Sequence, residues 1–199
     1  MGIIMRKTEF YISTSHRSGW TIMELLVTIL VLVISTFILV PYASSGASSS
    51  GQSVARMAMT EMLAAQMDAV ANQSYRRIHF FSDGSGWSVE ELNSSELGDA
   101  YDFASANFVE DAVESQGQLQ QSIIKFTEDN RFRDVIISNV LFDGMHSNFI
   151  FEPTGGIIDS SGYPSTGGSF VVNSGPHQWT VSVAPLTGKI TVEKTGGTQ

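Results

Sequence analysis

Between Trp20 and Val40 the chain reads WTIMELLVTILVLVISTFILV, and Glu24 is the one ionisable side chain in that run. As a helix these residues would be about 31 Å long, close to the roughly 30 Å hydrocarbon thickness of a bilayer. A carboxylate inside such a segment is costly, at about 2.5–3.5 kcal/mol on insertion scales. The segment therefore has to place Glu24 at an interface or give it a partner. Arg6, Lys7 and Arg17 precede the run, which orients a span with its N-terminus on the cytoplasmic side.

Pro41 follows the run and predicts a bent or interrupted helix axis. ASSGASSSG (Ala43–Gly51) comes next, and its Ser and Gly content predicts a weak or broken helix. Helical periodicity returns over Val54–Tyr75. There Met59, Met62, Leu63, Met67 and Val70 form the apolar face expected to pack on a sheet, with Glu61, Asp68 and Asn72 off it.

From Arg76 the texture changes to short apolar runs separated by Gly, Ser and Asn. Strands are expected at Arg76–Phe81, Trp87–Glu91, Ile123–Thr127, Val135–Ile137, Phe149–Glu152, Ser169–Val172, Trp179–Ala184 and Lys189–Val192. FIFEPTGGII (149–158) and VSVAPLTGKITV (181–192) share a pattern of strand, Pro-containing turn closed by Gly, and strand, which is a hairpin signal. Residues 93–121 are acidic and read as a long loop with at most one short element.

The predicted fold class is α+β, a long N-terminal helix packed on a C-terminal antiparallel β-domain. The segments are 1–19, 20–43 as a transmembrane helix, 44–53 as a Ser/Gly-rich tract, 54–75 as an amphipathic helix and 76–199 as the β-rich domain. The 199 residues carry a formal net charge of -9 and no cysteine. That leaves no disulfides and no thiolate chemistry. Residues 52–199 hold eight cations against 18 carboxylates. A body so acidic disfavours phosphate backbones, although Arg76, Arg77, Arg131 and Arg133 would form a local basic patch if they converged.

Catalytic and metal-binding patterns are absent from the sequence. His16, His79, His146 and His177 lack the spacing of a metal site. Asp83-Gly84-Ser85-Gly86 reads as a hairpin loop between Phe81 and Trp87 rather than a calcium loop, and Asp143-Gly144 reads as a turn. Neither Gly188-Lys189 nor any Ser sits in a phosphate-loop or nucleophile-elbow pattern. No enzyme activity, metal or cofactor is expected.

Three readings fit the N-terminus: a plain signal anchor, a secretory signal peptide cut near Ala43 or Ser45-Gly46-Ala47, and a third that uses every odd feature. A cleaved signal peptide would have too long an apolar region and no use for Glu24. In the third reading, a basic leader ends at Gly19, an aromatic residue follows at Trp20, Glu24 stands four residues further, and Pro41 lies twenty-one beyond Trp20. This arrangement resembles the processing site of type IV prepilins and type II secretion pseudopilins. Trp20 stands where those families usually carry Phe, and Ile22-Met23 where a Thr-Leu-type pair is more common.

The resemblance implies cleavage between Gly19 and Trp20 by prepilin peptidase and N-methylation of Trp20. It also implies that Glu24 pairs with the N-terminal amine of a neighbouring subunit during assembly. An unpaired buried charge is strongly disfavoured, so such a pair would set register. The ARMAMTEMLAAQMDAVANQSYRR stretch, the turn over Phe151–Gly155 and the hairpin around Pro185–Lys189 are similar to the GspH/FimT group of minor pseudopilins. Residues 82–148 resemble nothing in that group. The implied partners are prepilin peptidase, other pseudopilins or pilins and the inner-membrane assembly platform. The implied location is the bacterial inner membrane, crossed once, with the C-terminal domain in the periplasm. The alternative within the same resemblance is a FimT-like minor type IV pilin serving pilus assembly or DNA uptake.

Overall fold

A computed structural model describes residues 21–110 and 121–197, with backbone alone at 37–48 and at 127. The expected leader (1–19) and the Gly19–Trp20 junction lie outside the described residues, as do 111–120 of the central loop. Two compact units meet between Ala43 and Ser44.

Helix α1 spans Ile22–Asn72. The 44–53 tract is thus helical, against the expectation of a weak or broken stretch. Packing overrides propensity here. Gly51 is buried, and a Cβ placed on it would fall 2.2 Å from a ring carbon of Trp179. The small residue lets the helix lie directly on the indole.

The buried stripe of α1 also differs from the expected one. Val54, Ala55, Ala58, Met62, Ala65 and Ala69 are buried, whereas Met59, Leu63, Met67 and Val70 are exposed. Only Met62 belongs to both sets. Alanine has little apolar area to attract a periodicity reading, yet it allows close approach to a bulky aromatic core.

Among the described residues nine strands follow: β1 Tyr75–Phe80, β2 Gly86–Leu92, β3 Ile123–Lys125, β4 Val135–Phe142, β5 Asn148–Phe151, β6 Ile157–Ile158, β7 Gly168–Ser174, β8 His177–Val183 and β9 Ile190–Gly196. They form two antiparallel sheets, ordered β3-β2-β1-β5-β6 and β4-β7-β8-β9. All eight expected strands are present. Ile123–Thr127 is cut short by a 3-10 turn over Phe126–Glu128, and Val135–Ile137 extends to Phe142. Both expected hairpins form, as β5–β6 and β8–β9.

Aromatic side chains join the sheets. The Phe80 ring lies 4.7 Å from that of Phe170, and Phe142 stacks on Phe149 at 4.4 Å. Phe80, Trp87, Phe142, Phe149, Phe151 and Phe170 are almost completely buried. The Asp83–Gly86 segment is the β1–β2 hairpin loop, and the Gly84 carbonyl accepts the Ile137 amide at 2.9 Å. Gly84 has φ +71°, and a Cβ there would meet the Ile137 carbonyl oxygen at 2.3 Å. Glycine is needed where the first hairpin touches β4.

Candidate assembly site

The first turn of α1 is built by Thr21 and Glu24. The Glu24 amide donates to the Thr21 hydroxyl at 3.2 Å and to its carbonyl at 3.0 Å, so Thr21 caps the helix. Thr21-Ile22-Met23-Glu24 matches a capping-box spacing. That signal was present in the sequence, and it gives Glu24 a local role beside the expected one. A carboxylate in the first helical turn is also favoured by the helix dipole, by about 0.3–1 kcal/mol.

That local gain is smaller than the cost of a carboxylate deep in hydrocarbon, about 2.5–3.5 kcal/mol. Glu24 is exposed, and among the described residues no cation lies within ion-pair distance of it. The hydroxyls near it are settled differently. Thr28 donates to the Leu25 carbonyl and Thr36 to the Leu32 carbonyl, each at 2.8 Å. Such back-bonding hides hydroxyls inside the helix. Among the described residues the Glu24 carboxylate has no such internal partner.

Around it, large apolar side chains from Ile22 to Ile34 are 46% to 84% exposed, on every side of the helix. A helix that is apolar all round needs an apolar surround. Among the described residues no helix is long and apolar enough to cross a membrane. Pro41 falls in the part described by its helical backbone alone, and Gly19 and Trp20 lie outside the described residues.

In the second unit Arg76 and Arg77 are buried, so neither adds to a basic surface. Register places Arg77 opposite Glu90 and Arg76 opposite Glu91. Arg77 Nε donates to the Glu90 carboxylate, and both side chains are buried. Arg76 is buried too, and it pairs with Asp68 of α1 at 2.5 Å and with Glu91 at 3.4 Å. Arg131 pairs with Asp129 at 2.7 Å, holding that carboxyl below the usual carboxylate range. Of the four guanidinium groups that could have favoured DNA uptake, Arg76, Arg77 and Arg131 pair with carboxylates of the chain, and Arg133 donates to the Asn130 side-chain oxygen at 2.5 Å.

Gln66 ties α1 to both expected hairpins. Its Nε2 donates to the Gly155 carbonyl at 2.6 Å and to the Thr187 carbonyl at 3.0 Å. Beside it, Leu63, Met67, Val70 and Leu186 line an open groove of about 500 Å³. Among the described residues no group of three or more His, Asp or Glu side chains could hold a metal ion.

No protein-family model matches the chain, and no curated protein does. Its fold is similar to the solved structure of the minor pseudopilin EpsH from the type 2 secretion system of Vibrio cholerae, at 9% identity and a TM-score of 0.47. The likeness covers 73% of this chain and 97% of that one. At that depth it assigns no role to the chain.

Proposed function

We propose that the chain is a minor pseudopilin, a structural subunit of a type II secretion pseudopilus. Prepilin peptidase cuts between Gly19 and Trp20, and Trp20 is N-methylated. Residues 20–43 hold the subunit in the bacterial inner membrane, with the β-domain in the periplasm. The inner-membrane platform then moves it into a fibre with other pseudopilins. The observation that carries this reading is Glu24, an exposed carboxylate in the first turn of a helix whose apolar side chains are exposed all round. A cationic N-terminal amine from a neighbouring subunit, inside a bundle of such helices, satisfies both needs at once. The pair adds little net stability, but a mispaired register would leave a charge buried and unpaired.

Replacing Glu24 tests this. Glu24→Ala is expected to stay in the membrane fraction and to lose cross-linking to the other pseudopilins of its machine. Normal co-assembly of the variant would remove the pairing role and leave Glu24 a first-turn carboxylate favoured only by the helix dipole.

A further inference from the structure

A second concave site lies at the opposite end of β1 from Arg76. It has a volume of about 470 Å³ and is walled by His79, Phe81, Asp83, Tyr101, Phe103 and Lys125. That size falls within the roughly 300–1,000 Å³ of small-molecule sites. Its parts come from the end of β1, the first hairpin loop, the 93–109 loop and the end of β3, so no local sequence pattern announces it.

The walls are held in place by internal contacts. Tyr101 stacks on His79 at 3.6 Å with the rings 10° apart, and its hydroxyl is hydrogen-bonded to Ser88 at 2.9 Å. Arg77 donates to the Asp99 carbonyl at 2.7 Å, which anchors the loop two residues before Tyr101. Rings fixed in this way lose little freedom when something binds against them.

The polar groups are less fully used. The Lys125 ammonium sits 5.6 Å from the Phe81 ring centre and 5.1 Å from that of Phe103. Among the described residues no carboxylate lies within ion-pair distance of it. Asp83 accepts hydrogen bonds from Ser85, which keep its carboxyl ionised to lower pH than usual. His79 Nδ1 is buried without a hydrogen-bond partner among the described residues, and burial holds the ring neutral at ordinary pH. Phe103 is 46% exposed.

The geometry points to a binding site for a neutral saccharide of one or two pyranose rings. One cation and one anion line the wall, so the site favours neither a phosphate nor a metal ion. A purely apolar ligand would desolvate Lys125 and Asp83 without replacing their water contacts, which is unfavourable. A pyranose has a face of polarised C–H groups, which suits the negative face of an aromatic ring, and a rim of hydroxyls that both donate and accept. The exposed part of Phe103, beside the Lys125 ammonium, would supply the platform, with Asp83 as acceptor and Lys125, Ser82 and Ser147 as the donors lining the site.

The test is saturation-transfer NMR on the full chain in a detergent without a sugar headgroup. Cellobiose, maltose and N,N′-diacetylchitobiose are the probes. At least one is expected to bind saturably with a Kd of about 1 mM or tighter, and Phe103→Ala or Asp83→Asn to weaken it about tenfold. Phe103→Tyr should keep binding, and Tyr163→Ala, an exposed aromatic elsewhere, should leave it unchanged. Dispersed amide spectra of Asp83→Asn and Phe103→Ala show that loss of binding is not loss of fold. No saturable binding of any of the three sugars overturns the assignment. So does binding insensitive to Phe103→Ala and Asp83→Asn, or tighter binding of benzoate than of every sugar.

Discussion

Gly51 and Trp179 are in such close contact that a methyl group on the glycine would fall inside the indole. Trp179 is itself buried and flanked by the second sheet, so it has little room to retreat. Gly51→Leu is expected to lower stability by about 1–3 kcal/mol through overpacking, even though Leu is the better helix former. Urea denaturation measures this. An unchanged midpoint would mean that α1 does not rest on Trp179.

Arg77 and Glu90 form a cross-strand ion pair with side chains only 5% and 3% exposed. Removing one partner leaves the other charge buried. Arg77→Met is expected to cost about 3–5 kcal/mol, and adding Glu90→Leu to recover most of it. A double variant no more stable than the single one would show that the pair is not what the strands depend on.

His79 gives stability a pH dependence with a definite sign. Burial, reinforced by the positive charge of Arg77, lowers its pKa from 6.5 to about 4. Between these values the unfolded chain takes up a proton that the folded chain does not. The stabilising contribution of neutral His79 is therefore complete above about pH 6.5 and is lost as pH falls towards about 4. Denaturation midpoints of wild type and His79→Gln, compared at about pH 7 and about pH 5, test this. Wild type should lose more stability over that interval, and parallel losses would mean that His79 titrates normally.

Sequence and structure agree where one physical signal dominates. The strands of the β-domain were legible as short apolar runs between Gly, Ser and Asn, and in β7 and β8 every second side chain is buried. Val135–Ile137 was read too short because the register slips between Ser138 and Leu141, where Asn139 has φ +51°, and the alternation breaks there. The helix face was misread because a periodicity reading weights Met and Leu over Ala, while close packing selected Gly51, Ala55, Ala58, Ala65 and Ala69. The cap at Thr21 was visible as Thr-x-x-Glu, but Glu24 already had another use. The His79–Lys125 site could not be read at all, since its residues come together only through folding.

Mass spectrometry of the native N-terminus tests the pseudopilin assignment most directly. Cleavage and methylation make a chemical product that neither a plain anchor nor an ordinary signal peptide makes. The expected mature chain begins at Trp20 with an N-methylated amine, four residues before Glu24. A chain that begins at Ser44 or Ser48, or that retains residues 1–19, would contradict it.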